Sequence, residues 1–323
     1  MRVIFLAEGN KNGGAASWRQ HLESSLREHE VKVRTVNALH GSSILRLSRL
    51  WNTDIIHCHH VSGTSVMFVI IGYLLNKKII YTVHGNIREE LKTKTGLKKI
   101  FWQPLHYLVF MLAHDVTFPS NYLYQQVTPK YKIRGRTHII FNGIDIQPGF
   151  PRVMKKNNGR RLLSMTNFDY PAKAQGIKTL CSAIHEMLEE YPDIKLDVLG
   201  DGKELDSYKA ELSCDHVVFH GRQAVKPFMQ GADVYIHATY LDNLPYAVIE
   251  ALDSGLVVFG AKIGGIPEIL PEDLLFEMDI VCIKNKLDLF FTNADKYRKI
   301  SSDVSLSGFN TKNISRKFIK LYK

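Results

Sequence analysis

The feature that most constrains the fold is the regular alternation of short apolar runs with longer amphipathic stretches. Six runs precede residue 147, namely RVIFLAE, EVKVRTV, DIIH, KIIYTVH, DVTF and HIIF. Their length suits strands of a sheet, and helical patterns lie between them, so the alternation predicts βα units around a parallel sheet. Several runs end in polar or glycine-containing turns such as HCHH and HGN. Open α/β sheets bind ligands at that edge.

A break at residues 147–161, QPGFPRVMKKNNGRR, is rich in proline, glycine, asparagine and basic residues. The alternation then restarts with LLSMTN, KLDVLGDG, HVVFHG, ADVYIHA and GLVVFGA. The amphipathic stretches predict helices over 177–190, 204–212, 245–254 and 313–322. We therefore predict two doubly wound domains, at 1–147 and 161–305, joined by a linker at 148–160. A chain of 323 residues is consistent with two domains of about 150 residues each.

Charge is distributed unevenly along the chain. Residues 1–150 contain 19 Lys and Arg against 9 Asp and Glu, whereas residues 151–323 contain 23 of each. The first domain therefore carries the whole net charge of +10, which suits a phosphorylated substrate or an anionic membrane surface. No nucleic-acid-binding motif accompanies the charge, so nucleic acid is not expected as a partner.

A basic segment precedes an aromatic run in this domain. Its basic residues are Arg88, Lys92, Lys94, Lys98 and Lys99, and the apolar residues that follow are Phe101, Trp102, Leu105, Tyr107, Leu108 and Phe110. The pattern fits a helix lying on an anionic membrane surface. It also fits a solvated basic face beside core residues. We favour the membrane surface.

The cysteine pattern and the apolar stretches indicate the compartment. The four cysteines are scattered without a CxxC pair, as is typical of reduced thiols in the cytoplasm. The N-terminal MRVIFLAEG has no signal-peptide cleavage site after it and is interpreted as a strand. The apolar stretch from Thr64 to Leu75 falls short of the ~20 residues that a transmembrane helix needs, and we interpret it as a buried helix. The sequence thus predicts a cytoplasmic protein, in peripheral contact with the inner face of the cell membrane.

The sequence does not predict a metal site or a dinucleotide site. The run from His57 to His60 could hold a metal, but the sequence offers no partner cluster with zinc-site spacing. Gly9, Gly13 and Gly14 follow the first strand without the GxGxxG spacing of a dinucleotide site. We therefore expect neither a metal nor a cofactor.

The most informative segment begins at Asp242 and reads DNLPYAVIEALDSGLVVFGAKIGGIPEI. A polar loop leads into a helix whose first turn offers free backbone N–H groups, which suit a phosphate or sugar oxygen. Pro245 fits that first turn because its missing N–H costs nothing there. Glu250 lies eight residues after Asp242, and a carboxylate can accept a pair of hydrogen bonds from a vicinal diol such as ribose.

This segment resembles the E-x7-E region of nucleotide-sugar glycosyltransferases with the GT-B fold, specifically family 4 (glycosyl transferases group 1). Other parts of the chain resemble further motifs of that family, in the same order. They read DIIHCH, TVHG, IFNGID, LDVLGDG, VFHG and GGIPE. The resemblance extends over nearly the whole chain.

The resemblance implies two Rossmann-like domains facing across a cleft, with a C-terminal helix in 306–323 crossing back to the first. The first domain would bind a saccharide or lipid-linked acceptor, and the second a nucleotide-sugar donor. The implied reaction is retaining, metal-independent transfer of a hexosyl group. Its implied context is bacterial surface polysaccharide or glycolipid synthesis, including capsule and lipopolysaccharide.

The resemblance also implies roles for individual residues. The catalytic set would be His84, Asp242 and Glu250, with Glu250 on the donor ribose and Asp242 near the donor sugar. Further donor-binding residues would be Gly13, Gly14, Lys173, Gly200, Arg222, Asn243 and Leu244. The acceptor side would include His59, Gly85 and Arg88.

The sequence departs from the family pattern at the donor site. Asp242 stands where the family has Glu, and Asn243 where it has Gly. Asn167 and Gln175 replace an Arg and a Lys that neutralise the donor diphosphate, and Lys173 is the candidate substitute. These departures keep open the alternative of an impaired nucleotide-sugar-binding scaffold protein. A nucleotide-sugar epimerase of the same fold is a second alternative.

Overall fold

The computed structural model describes residues 1–7, 14–38, 41–87, 91, 96–146 and 159–323, with the backbone alone at 14–17, 41–46 and 97–99. Most of the predicted linker, through residue 158, lies outside this described part. The chain divides into two compact units. The first comprises Met1–Ile146 with Ser307–Lys323, and the second Gln147–Leu306.

The first unit is built on a parallel sheet of six strands in the order β2-β1-β3-β4-β5-β6. The strands are β1 (Arg2–Ala7), β2 (Lys32–Asn37), β3 (Ile55–Cys58), β4 (Lys78–Thr82), β5 (Asp115–Phe118) and β6 (Arg136–Ile139). The helices are α1 (Gly14–Glu28), a 3₁₀ helix (Gly41–Asn52), α2 (Gly63–Leu74), α3 (Gly96–Leu112) and α4 (Asn121–Val127). All six predicted strands are present.

One predicted strand is displaced along the chain. The run HIIF predicts a strand over His138–Phe141, whereas β6 spans Arg136–Ile139. Its ladder partner β5 has only four residues, and the register pairs Asp115 with Arg136 and Phe118 with Ile139. The pairing therefore ends at Ile139 because β5 ends there.

The second unit contains another parallel six-stranded sheet, in the order β12-β11-β10-β7-β8-β9. Its strands are β7 (Arg161–Asn167), β8 (Lys195–Asp201), β9 (Val217–Gly221), β10 (Val234–His237), β11 (Val257–Ala261) and β12 (Leu275–Phe276). Its helices are α5 (Pro171–Met187), α6 (Leu205–Leu212), α7 (Val225–Gly231), α8 (Tyr246–Asp253), α9 (Ile280–Thr292) and α10 (Ala294–Asp303), with short 3₁₀ turns at Ile266–Glu268 and Glu272–Leu274.

Helix α5 begins earlier than the sequence pattern predicts. The apolar periodicity predicts a start at Ile177, but the helix begins at Pro171. Proline at the first helical position loses no hydrogen bond and has its φ angle preset for the helix. Lys173 consequently lies in the first turn of α5 rather than in a loop.

Helix α11 (Thr311–Tyr322) packs against α1, and its Phe318 and Tyr322 contact His57 of β3. The buried Ser25 hydroxyl donates to the Ser315 hydroxyl at 2.9 Å. The rings of Trp18 and Phe318 meet edge to face at 5.8 Å. The first unit is therefore assembled from residues at both ends of the sequence.

Helix α2 matches the stretch predicted as a buried helix, and its Phe68 and Val69 are fully buried. Within the described ranges, we find no helix that combines the length and apolarity needed to cross a bilayer.

Candidate functional site

The strand order of the second unit places a candidate ligand site between β7 and β10. These strands are neighbours, and the order reverses between them because β8 and β9 lie on one side and β11 and β12 on the other. Ligands of doubly wound sheets bind outside the carboxyl ends of the strands at such a switch point. Lys173 follows β7 and Asp242 follows β10, so two of the predicted site residues meet there.

Lys173 and Asp242 form an ion pair. The Lys173 ammonium donates to Asp242 Oδ2 at 2.8 Å, and the two side chains are 25% and 12% exposed. Burial alone would raise the pKa of Asp242, but the Lys173 charge and a hydrogen bond from His237 hold that pKa well below its usual range. The carboxylate is therefore ionised throughout the physiological pH range.

Helix α8 brings Glu250 and Tyr246 to this part of the unit. They lie four residues apart, so their side chains are neighbours on one helical face. Burial raises the pKa of Glu250, and burial followed by the Glu250 charge raises that of Tyr246. Within the described residues, the buried Tyr246 hydroxyl has no hydrogen-bond partner. The local arrangement thus contains a half-buried carboxylate beside a hydroxyl that can still form a hydrogen bond.

The loop between Asp242 and α8 differs in detail from the prediction. The Asn243 N–H, predicted to face the donor, donates to Asp242 Oδ1 at 2.9 Å. Leu244 is buried. Pro245 precedes the first helical residue and caps the helix in an extended conformation.

The two remaining donor-site residues of this unit occupy different surroundings. Gly200 lies in β8 with φ of +153°, and a Cβ there would come within 2.1 Å of the Thr166 carbonyl oxygen. The close approach of β7 to β8 leaves no room for a side chain here and explains the glycine. Arg222 is exposed in the turn that follows β9.

In the first unit, predicted residues gather at the carboxyl ends of β3 and β4. His59 follows β3 and His84 lies two residues after β4. Their Nδ1 and Nε2 atoms are 3.3 Å apart, within hydrogen-bonding distance. The His57 ring lies 4.0 Å from that of His59. Because the strand order of this sheet reverses between β1 and β3, the cluster also lies at a switch point.

The His57 ring is fixed by buried hydroxyl groups on both sides. Its Nδ1 lies 2.8 Å from the Tyr322 hydroxyl and its Nε2 2.7 Å from the Thr82 hydroxyl. The Thr82 hydroxyl also contacts that of Thr117 at 2.6 Å. Both ring nitrogens of His57 are thus engaged within the protein, which supports a structural role over a metal ligand.

The cluster histidines are neutral at physiological pH. Burial lowers the pKa values of His57 and His59 well below the ordinary value. Burial, then the His60 and Arg19 charges, lowers the pKa of His84 to about 4. Within the described residues, the buried His59 Nε2 has no hydrogen-bond partner. His59 and His84 therefore offer neutral hydrogen-bonding groups at this edge.

Other predicted residues of the first unit are only partly described. Gly13 and Arg88 lie outside the described residues, and Gly14 is the first residue of α1. Gly85 is half-buried in the bend after His84.

Four residues of these arrangements were not predicted from the sequence, namely His237, Tyr235, Tyr246 and Tyr322. His237 and Tyr235 alternate along β10, and their side chains are in contact through a 2.8 Å hydrogen bond. The period-two pattern of ADVYIHA places them on one face, so the sequence contained a signal for this pair. No local signal could associate Tyr322 with His57, because 265 positions separate them.

Two family models match the chain and together cover more than three quarters of it. The model described as Glycosyltransferase Family 4 matches residues 16–148, and that described as Glycosyl transferases group 1 matches residues 159–289. The chain belongs to the group 1 glycosyltransferases of the GT-B fold, as the motifs predict.

Curated relatives are distant. N-acetyl-alpha-D-glucosaminyl L-malate synthase of Bacillus anthracis is 24% identical over 71% of this chain and 62% of its own length. Alpha-monoglucosyldiacylglycerol synthase of Streptococcus pneumoniae is 24% identical over 67% of this chain and 54% of its own length. The chain therefore spans about half to three fifths of the length of these relatives.

A solved structure shares the complete fold. HepE of Anabaena, determined in complex with UDP, superposes with a TM-score of 0.77, covering 99% of both chains at 17% identity. The likeness confirms the predicted GT-B class of two Rossmann-like domains.

Proposed function

We propose that this glycosyltransferase is a retaining, metal-independent enzyme that transfers a hexosyl group from a nucleoside-diphosphate donor to a saccharide or lipid-linked acceptor. The observation that carries the proposal is the site at the β7/β10 switch point, where Lys173 and Asp242 pair at 2.8 Å. Relatives named for glycolipid and polysaccharide-related products, alpha-monoglucosyldiacylglycerol synthase and Protein CapJ of Staphylococcus aureus, support surface polysaccharide or glycolipid synthesis as its context.

In this proposal the second unit binds the donor. Glu250 accepts hydrogen bonds from the ribose diol, since the two oxygens of a half-buried carboxylate are well suited to two adjacent hydroxyls. The Lys173 ammonium and the Leu244 N–H face the diphosphate, and Arg222 adds charge at the rim. HepE of Anabaena, which has this fold, has been determined in complex with UDP and with UDP-glucose, and this supports a donor of that kind.

The reaction develops negative charge on the leaving diphosphate as the glycosidic bond breaks. Preorganised cations and N–H dipoles stabilise developing charge most effectively when they are fixed before the reaction. Lys173 is such a cation, at the start of α5, where the helix dipole adds to its effect. We propose that these groups provide the stabilisation for which other enzymes use a divalent ion. The retaining stereochemistry rests on the resemblance to family 4.

The histidine cluster of the first unit is proposed to serve the acceptor side and the reacting sugar. A neutral imidazole can donate one hydrogen bond and accept another. His84 would contact the donor sugar near the reacting carbon, and His59 an acceptor hydroxyl.

The function is tested by incubating the protein with UDP-, GDP- and ADP-sugars in the presence of EDTA. We expect one nucleoside diphosphate to be released at a rate that rises on adding saccharide or lipid-linked acceptors. NMR of the product should show the donor's anomeric configuration. A new sugar isomer formed without acceptor would indicate the epimerase instead. Binding without turnover over the whole panel would indicate the scaffold protein.

Peripheral membrane contact is proposed for the face that carries α2 and α3. Outward-facing apolar side chains on α3 include Ile100 and Phe101, which are 65% and 55% exposed, and on α2 Leu74, which is 77% exposed. Trp102 and Phe110 of the same aromatic run are buried, so the run divides between core and surface. The basic residues predicted to accompany it, from Arg88 to Lys99, have no described side chains. The excess positive charge of residues 1–150 favours an anionic lipid surface.

Replacing both Ile100 and Phe101 with serine is expected to lower binding to vesicles that contain anionic lipid by about tenfold or more, because apolar burial of two large side chains is lost. Sedimentation with vesicles measures the effect. Val281→Ser is the matched control, because Val281 is an equally exposed apolar residue (63%) on a helix of the second unit. Equal loss in the control, or no loss in the double variant, would contradict the proposed membrane face.

A further inference from the structure

The carboxylate of Asp242 already has three hydrogen-bonding contacts within the second unit. Oδ2 accepts from the Lys173 ammonium at 2.8 Å and lies 3.2 Å from His237 Nε2, and Oδ1 accepts from the Asn243 N–H at 2.9 Å. A carboxylate has about four acceptor sites, and three are used here. This engagement is unexpected for a group that the family resemblance assigns to the donor sugar.

His237 is itself held by a neighbouring buried hydroxyl. The Tyr235 hydroxyl lies 2.8 Å from His237 Nδ1, and the two residues are fully and almost fully buried. An ionised carboxylate can only accept, so Nε2 of His237 carries the hydrogen directed at Asp242. On the other side of the ring, Nδ1 contacts the Tyr235 hydroxyl. Hydrogen-bonding contacts thus connect Tyr235 through His237 to Asp242.

The backbone at Asp242 is fixed as firmly as its side chain. Gly264 has φ of +64°, and a Cβ at this position would come within 1.7 Å of the Asp242 carbonyl oxygen. The next residue, Gly265, donates its N–H to the same oxygen at 3.3 Å. Only glycine allows the second loop to approach so closely. The anion that faces Lys173 therefore has little freedom to move.

Lys173 retains two of its three N–H donors after pairing with Asp242. A lysine side chain is flexible, and ordering it on ligand binding costs affinity. A fixed anion that orders the side chain in advance removes part of this cost.

We propose that Tyr235, His237 and Asp242 are positioning residues that hold the Lys173 ammonium for the donor diphosphate, and that Asp242 does not bind the donor sugar. This inference rests on the proposed function. It gives the shorter acidic side chain at position 242 a specific role. Lys173 is then the cation at this site, in place of the two that the family motif has at the positions of Asn167 and Gln175.

The test compares variants by calorimetric binding of UDP, UMP and a UDP-sugar, or of the corresponding nucleotides if the donor panel selects another base. Lys173→Met is expected to weaken UDP binding by about tenfold or more, because a hydrogen bond to charged phosphate is lost. UMP binding should change much less. Asp242→Asn should weaken UDP binding by about three- to tenfold, because the lysine must then be ordered on binding.

The double variant gives the decisive comparison. If Asp242 acts only through Lys173, adding Asp242→Asn to Lys173→Met causes no further loss of UDP affinity. The double variant also lacks the unpaired carboxylate that Lys173→Met alone would leave at Asp242. Thermal unfolding of each variant checks that the binding differences arise in folded protein. Lys178→Met, an exposed lysine on the same helix, is the control and should bind UDP normally.

His237 supplies a second, independent readout. His237→Phe should lower UDP affinity in the same way as Asp242→Asn, and His237→Gln, which retains a side-chain N–H donor, should recover part of it. If His237 had only a structural role, its replacement would lower the affinities for UDP and UMP to the same extent.

Two results would overturn the inference. One is an Asp242→Asn variant that binds UDP as tightly as the wild type but loses the additional affinity for the UDP-sugar. The other is a double variant whose loss of UDP affinity equals the product of the losses in the two single variants. Failure of the proposed function is seen separately in the wild type, which would then bind none of the nucleotides or would bind them without transferring sugar to any acceptor.

Discussion

Replacing Glu250 with glutamine is expected to weaken nucleoside-diphosphate binding by about ten- to a hundredfold while leaving the folded protein at least as stable as the wild type. A hydrogen bond to a charged group contributes about 1.5–3 kcal/mol, and each 1.4 kcal/mol corresponds to tenfold in affinity. Glutamine keeps the size of the side chain but accepts through one oxygen only. The discrimination between the nucleotide and its 2′-deoxy analogue should fall in parallel.

The stability expectation follows from the pKa of Glu250. Burial raises this pKa in the folded protein above its value in the unfolded chain. Ionisation of Glu250 therefore destabilises the folded protein as the pH rises above the unfolded pKa, and the full cost is reached above the folded pKa. A neutral side chain removes the cost. Nucleotide affinity of the wild type should likewise fall as the pH drops through the raised pKa, because the protonated carboxyl accepts less well.

Calorimetry and thermal unfolding of Glu250→Gln together check both expectations. Glu189→Ala, which removes an exposed glutamate of the same unit, should bind and unfold as the wild type does. Normal affinity and intact 2′-hydroxyl discrimination in Glu250→Gln would exclude this carboxylate from the donor site.

Replacing His84 with alanine is expected to lower kcat by about a hundred- to a thousandfold, the usual loss on removing one preorganised hydrogen-bonding group from a reacting centre. The donor KM should change little, because the proposed contact strengthens as charge develops. His84→Asn, which retains an N–H donor, should recover part of the rate. His21→Ala, on an exposed part of α1, should have wild-type kinetics.

The pH profile distinguishes this role from simple packing. Because burial lowers the pKa of His84 to about 4, the imidazole stays neutral well below the ordinary value near 6.5. The loss of kcat/KM caused by protonation of His84 should therefore begin near pH 5, and not near pH 6.5. A His84→Ala enzyme with unchanged kcat would place the reacting sugar elsewhere.

Much of the fold could be predicted because strands of parallel sheets are short, apolar and bounded by polar turns. The strands around Asp115 and Lys195, for example, follow directly from the sequence pattern. The start of α5 could not be predicted, because the residues from Pro171 to Gly176 lack an apolar face and helix formation there depends on proline at the first position. The helices at Ile280 and Ala294 and the two-residue strand at Leu275 were also missed.

The candidate site was predictable in its motif residues but not in its contacts. The motif placed Asp242 in the loop before one helix and Glu250 in that helix. It could not show that Asp242 contacts His237 and Lys173, since such contacts depend on the pairing of β7 with β10. The chemistry of an acidic residue is set by its partners, and the local sequence does not specify them.

The contact between Tyr322 and His57 has a consequence for how the protein is synthesised. Residues 1–146 leave the ribosome first, but the helix that covers His57 and Trp18 follows only after the whole of the second unit. At about 5–20 residues per second, that interval lasts on the order of ten seconds. During this time the newly made sheet exposes the apolar face that α11 later covers, so the nascent chain must avoid aggregation before its first domain is complete.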